Sequence, residues 1–241
     1  MHTEELEYRV DGVRYRGVLA LDKSRARGRP GVLLCHEGFG LGEHSRGRAK
    51  RLAELGYVVF ALDYIGDGQI LPREKIMERL APLMENPLRT RALGRAGLDI
   101  LRAQPEADCS RLAAIGFCFG GTMALELARG GEDLRAVVGL HSGLATARPE
   151  DARSIRASVL VCIGAEDPMI PPAQRAAFES EMRAGGVDWR LYLYGGAAHG
   201  FTNEKAGLAG IAGLAYHAPT DARTWRVMLD FFDERLGTVA A

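Results

Sequence analysis

Leu112-Ala-Ala-Ile-Gly116-Phe117-Cys118-Phe119-Gly120-Gly121 is the stretch on which the fold turns. Leu112 to Phe117 is a run of apolar residues with the look of a core strand, and from about Phe119 to Arg129 the chain fits a helix. Between them stands Gly-x-Cys-x-Gly, the pattern of a sharp strand-to-helix turn that presents a nucleophile. The glycines have a steric reason. A Cβ at either flank would collide with the strand or the helix. Cys118 is expected in a strained backbone conformation with its side chain above the sheet edge. The helix N-terminus behind it adds partial positive charge, which favours a thiolate. Taken alone, the motif also fits a glycine-rich turn that happens to carry a cysteine.

Outward from this turn the chain alternates strands and helices. Gly31 to His36, Tyr57 to Asp63, Ala136 to His141, Val159 to Gly164 and Trp189 to Tyr194 read as further strands. The first two are nearly continuous apolar runs, as expected of strands buried on both faces. Helices are expected over Glu43 to Gly56, Glu74 to Met84, Leu88 to Ala103, Pro172 to Ala184 and Asp221 to Leu236. The last shows an apolar face at Trp225, Met228, Leu229 and Phe232. Leu6 to Val10 and Arg14 to Leu21 alternate around Asp11-Gly12, a strong hairpin signal. The expectation is an α/β fold: a mostly parallel eight-stranded sheet flanked by helices, with an N-terminal antiparallel hairpin. No linker, repeat or low-complexity segment divides the chain, so residues 1–241 are expected to form one domain.

Composition excludes several classes of function. Lys plus Arg number 31 and Asp plus Glu 31, so no basic surface is available for nucleic acid. No apolar stretch reaches the roughly 18 residues of a membrane span. Met1 to Arg9 carry three glutamates and no signal-peptide pattern, which points to a cytoplasmic protein. The four cysteines, Cys35, Cys109, Cys118 and Cys162, form neither a CxxC pair nor a zinc spacing. Cys35 and Cys162 lie in strand-like runs, where a thiol packs as a small apolar group. Cys109 is expected in a loop.

A reactive cysteine needs a basic partner. In the α/β-hydrolase order the acid follows a later strand and the histidine lies in a late loop. Asp167 follows the Val159–Gly164 strand, and His199 follows the Trp189–Tyr194 strand. Asp167 would orient His199, which would carry protons to and from the sulfur and the leaving group. Glu166 is the competing acid; Pro168 biases Asp167 toward an extended turn conformation, which favours Asp167. His36 and His141 end strands and are expected to be structural. His2, His44 and His217 are expected at the surface or in loops.

These residues resemble the dienelactone hydrolase family. The resemblance rests on Gly116-Phe117-Cys118-Phe119-Gly120-Gly121, on His36-Glu37-Gly38-Phe39-Gly40 after an early strand, on Gly164-Ala-Glu-Asp167-Pro168, and on His199-Gly200-Phe201. It spans about residues 6 to 236. It implies that Glu37 contacts Cys118 and helps to activate it when substrate binds. It also implies an oxyanion hole built from the backbone N–H groups of Phe119 and Gly38. Phe39, Arg79 and Phe201 are the expected substrate contacts. One departure stands out. Family members that take the dienelactone ring hold its carboxylate with arginines, one just beyond the catalytic histidine, whereas Gly200 to Glu204 here contain none. Arg73, Arg79, Arg89 or Arg91 could reach the pocket, although each also fits a solvated helix face.

The reading is hydrolysis of a small-molecule ester or lactone through an acyl-cysteine, with no metal or cofactor, in a monomer or small homo-oligomer. The pocket is expected between segments Tyr64 to Pro87 and Phe201 to Pro219, with Lys205 to Ala215 as a lid. The alternatives are an esterase or thioesterase for larger acyl groups, a haloacid hydrolase, a peptidase, and a non-catalytic member that binds a ligand or partner.

Overall fold

Eight strands form one sheet in a computed structural model that describes residues 1–239. β1 (His2–Val10) and β2 (Val13–Leu21) make the expected antiparallel hairpin. Asp11 and Gly12 both take positive φ, 50° and 78°, a turn whose twist matches that of the flanking strands. β2 also runs antiparallel to β4 (Val58–Leu62). The other pairings, among β3 (Arg29–Cys35), β4, β5 (Ala107–Phe117), β6 (Ala136–Leu140), β7 (Ser158–Gly164) and β8 (Trp189–Tyr194), are parallel. The order across the sheet is β1-β2-β4-β3-β5-β6-β7-β8.

Helices cover both faces, as a parallel sheet requires. α1 (Glu43–Glu54) and α6 (Ala218–Leu236) cover one face, where Val32, Leu34, Ile115 and Val138 meet Leu52, Trp225, Met228 and Phe232. α3 (Pro87–Arg102), α4 (Phe119–Arg129) and α5 (Pro172–Gly185) cover the other, where Leu33, Ala114 and Val137 meet Leu98, Leu127 and Met182. α2 (Arg73–Glu85) packs beside α3. Neighbours along one strand, such as Val32 and Leu33, thus serve opposite cores, which explains unbroken apolar runs without alternation.

Two local expectations are corrected. Cys109 lies within β5, not in a loop. Ala107 and Asp108 pair with Arg29 and Pro30 before a register shift brings Leu112 opposite Gly31, so the strand starts on a less apolar segment. In α6 the buried face includes Phe231, and Leu229 is only half-buried.

The chain places β4 on one side of β3 and β5 on the other. The loops leaving β3 and β5 therefore diverge, and a crevice opens beyond the C-terminal ends of these neighbouring strands. In open α/β sheets ligands bind at such reversals of strand order.

Candidate active site

Cys118 stands at this reversal, between β5 and α4. Its backbone takes φ 54° and ψ −123°, a conformation that costs a non-glycine residue of order 1–3 kcal/mol. The surroundings impose it. Cys118 N–H donates to the Leu140 carbonyl at 3.1 Å, which ties the turn to β6. A Cβ on Gly116 would lie 2.0 Å from the Gly120 oxygen, and one on Gly120 would lie 2.2 Å from the Cys35 oxygen. The glycines are needed because backbone approaches backbone at both positions.

Asp167 and His199 arrive from the ends of β7 and β8. His199 Nδ1 and Asp167 Oδ2 are 2.8 Å apart, and both residues are buried. Asp167 Oδ1 accepts from the Met169 N–H at 2.8 Å, which fixes the carboxylate in its turn. Glu166, the competing acid, is exposed. His199 Nε2 has no hydrogen-bond partner among the described residues and lies on the same cavity as Cys118. Burial opposes a charge on His199. The neighbouring Cys118 and the hydrogen bond to Asp167 outweigh it, and the pKa is pushed up to about 10.

The segment expected to be a lid serves the histidine instead. His199 N–H donates to the Gly213 carbonyl, and Ala215 N–H donates to the His199 carbonyl, both at 3.0 Å. The backbone of His199 is thus clamped on both sides. Gly213, at φ 83°, lies against Pro168, and a Cβ there would come within 2.3 Å of that ring. Arg73 Nη1 ties the segment to α2 through the Gly210 carbonyl at 2.6 Å.

Glu37 lies in the loop after β3, where its carboxylate accepts a hydrogen bond from Asn203 Nδ2 at 2.8 Å and lies 3.5 Å from His44 Nδ1. Burial alone would push its carboxyl up, but His44, Asn203 and the charge of His199 leave it below the ordinary value. His44 is therefore half-buried in a polar network and not at the surface as expected. Its Nε2 lies 3.2 Å from Thr202 Oγ1, which in turn meets His141 Nε2 at 2.8 Å. His141 is fully buried with its ring against that of His199, centroids 5.2 Å apart. Burial and the neighbouring His199 charge hold its pKa well below the usual histidine value, so it stays neutral. His36 packs face to face on Tyr64 and is likewise neutral, its pKa lowered to about 4 chiefly by burial. Sequence reasoning missed His44, Thr202 and Asn203 as a group. The available signal was weak: Thr202 and Asn203 follow His199 within one turn of chain.

The cavity over Cys118 holds about 370 Å³. Met77, Leu80, Leu83 and Met84 of α2 wall one side, and segments 143–147 and 169–174 the other. The expected wall Tyr64 to Pro87 is present in its α2 half. The expected wall Phe201 to Pro219 is replaced by the loops after β6 and β7, because that segment is engaged behind His199. Phe119, whose N–H is the first amide of α4, lines the cavity. Gly38 abuts the α2 wall, where a Cβ would fall 2.8 Å from Leu80. The three expected substrate contacts, Phe39, Arg79 and Phe201, are not among the residues that line the cavity. Phe201 is buried in the core beneath His141, and Phe39 is half-buried with its carbonyl bound by Leu71 N–H. Arg79 lines a separate cleft with Tyr15 and Tyr64. Among the described residues no group of three or more His, Cys, Asp or Glu side chains could hold a metal ion, and no helix is long and apolar enough to cross a membrane.

The model of the dienelactone hydrolase family matches residues 15–236. The chain belongs to this family. Members of the dienelactone hydrolase family are thus its relatives throughout, and it is an ester or lactone hydrolase. A solved structure named m3DLH is 47% identical, with a TM-score of 0.94 over 98% of each chain. A dienelactone hydrolase-like promiscuous phosphotriesterase from metagenomic libraries is 40% identical, with a TM-score of 0.94 over 98% of this chain and 99% of its own. A Yersinia pestis protein provisionally named carboxymethylenebutenolidase is 27% identical over 215 residues, 85% of this chain and 78% of its own.

Proposed function

We propose that the protein cleaves a small-molecule ester or lactone through an acyl-cysteine on Cys118. The observation that carries this reading is the pairing of His199 with Asp167 while Nε2 stays unpartnered beside a cysteine on a strained turn. In the reaction, the Cys118 thiolate forms a bond to the carbonyl carbon. The carbonyl electrons move to oxygen, where the Phe119 and Gly38 amides stabilise the charge. Collapse breaks the carbon–oxygen bond, and the alkoxide leaves with the proton of His199 Nε2. Acylation removes the thiolate that raised the His199 pKa. Burial then favours the neutral imidazole, which takes a proton from water. The hydroxide displaces sulfur, releasing the acid and restoring the thiolate. Glu37 is the expected activator of Cys118; to reach the thiol its carboxylate leaves Asn203 and His44. The reading takes the chain as one cytoplasmic domain that works without a cofactor.

Trapping with a slow ester tests this. Intact-mass and peptide analysis should find the acyl group on Cys118 and none in Cys118→Ala. An adduct on another residue, with turnover retained in Cys118→Ala, overturns the reading. A second reading, phosphotriester cleavage by the same thiolate, is favoured by the 40% identity to the phosphotriesterase and by the apolar cavity. It predicts a phosphorylated Cys118 when a diethyl aryl phosphate is supplied.

A further inference from the structure

The cavity extends from Cys118 along one face of α4. Phe119, Thr122 and Glu126 line it at positions spaced three and four apart, so Glu126 stands about 12 Å along the helix axis from the Cys118 backbone. Around this channel the wall is apolar or neutral. Among the described residues, Glu126 is the only ionisable one that lines it apart from Cys118 and His199 at the reacting end.

Glu126 is almost fully buried and faces two arginines behind the wall. Arg91 Nε donates to its Oε2 at 2.9 Å, and Arg129 Nη1 donates to its Oε1 at 3.0 Å. Each arginine has another carboxylate as well. Arg91 Nη1 reaches Asp151 at 2.7 Å, and Arg129 holds Glu181 through two bonds of 2.7 and 2.9 Å. Arg148 completes the set on Asp151 at 2.8 Å. Each of the three arginines thus faces at least one carboxylate, and Arg148 has Glu150 at 3.9 Å as well. Glu126 lines the cavity and binds both arginines, whereas neither Arg91 nor Arg129 is among the residues that line it.

We propose that Glu126 sets the charge specificity of the pocket: by cancelling and covering Arg91 and Arg129 it makes the channel accept neutral, apolar substrate arms and refuse anionic ones. The inference rests on the hydrolase reading of Cys118 and deepens it. An arm that carries a carboxylate to the end of the channel would lose its hydration and meet a like charge with no free cation. A cavity of about 150 Å³ accommodates benzene, so a channel more than twice that size has room for an aryl group or a medium alkyl chain.

The test compares substrates of matched chain length on the full-length protein. 4-Nitrophenyl hexanoate is set against mono-4-nitrophenyl adipate, and hexyl acetate against 6-acetoxyhexanoate, so that the arm is probed on the acyl and the alcohol side. The wild type should favour the neutral member by at least about tenfold in kcat/KM in one series or both. Glu126→Gln should shift this ratio toward the anionic member, and Arg91→Gln should shift it the opposite way. Equal turnover of neutral and anionic members in both series overturns the proposal. So does a folded Glu126→Gln, verified by circular dichroism, with an unchanged ratio. Should Glu126→Gln fail to fold, the wild-type ratio and the Arg91→Gln shift decide. 4-Nitrophenyl acetate separates the two levels of argument: if the wild type does not cleave it, the hydrolase reading falls and takes the inference with it.

Discussion

At the residue scale, Cys118 differs from Cys35 and Cys162 in its surroundings. Burial pushes Cys35 far above the ordinary thiol range and Cys162 up to about 12, so both are inert. Cys118 shares a cavity with a histidine whose pKa stands near 10 because of it. In Cys118→Ala the His199 pKa should fall; ¹⁵N NMR of the imidazole measures it, and a value still near 10 would show that Cys118 is not what raises it. The same shift sets a stability profile. The His199 pKa is raised in the folded state, so its contribution is complete below the unfolded value near 6.5 and is lost as pH rises through about 10. Urea midpoints should therefore drop between pH 7 and 10 in the wild type and drop less in Cys118→Ala. Asp167→Asn leaves the histidine without its orienting charge and should cost about 10²- to 10⁴-fold in kcat with little change in KM. That Cys118, Asp167 and His199 would come together was legible in the sequence, because glycine flanks and chain order mark them. Glu37 was legible only through the family pattern. His44, Thr202 and Asn203 were not, since nothing local distinguishes a buried polar network from a solvated loop.

At the scale of elements, the turn before α4 depends on glycine for contact between backbones. Gly120→Ala places a Cβ against the Cys35 and His36 carbonyls, neither of which can rotate away. The expected cost is roughly 3 kcal/mol, visible as a lowered thermal midpoint. Gly213→Ala acts at a distance. A Cβ at φ 83° against Pro168 would push apart the segments that carry His199 and Asp167, so kcat should fall at nearly constant KM, by about tenfold or more. The 205–215 segment was misread as a lid because small residues suit a mobile flap and a tightly clamped strap equally well. Only its hydrogen bonds to His199 tell them apart. The start of β5 was hidden for a related reason: its first residues pair across a register shift and lack the apolar signature of the rest.

At the scale of the whole molecule, the fold class, the hairpin and the strand inventory were readable from periodicity. The order of strands across the sheet was not, because it depends on which side of β3 each crossover lands. The pocket walls went with it. Once β6 and β7 extend the sheet beyond β5, their loops flank Cys118 and displace the wall expected from Phe201 to Pro219. The reversal at β3 and β5 has a further consequence for how the protein acquires activity. Leu33 pairs with Ala114, so the Glu37 loop and Cys118 meet only after a long loop of chain has closed. Such distant parallel pairings form late and slowly compared with helices. On dilution from urea, helical circular dichroism should recover first, and ester cleavage should return in a later phase that coincides with closure of the central strands.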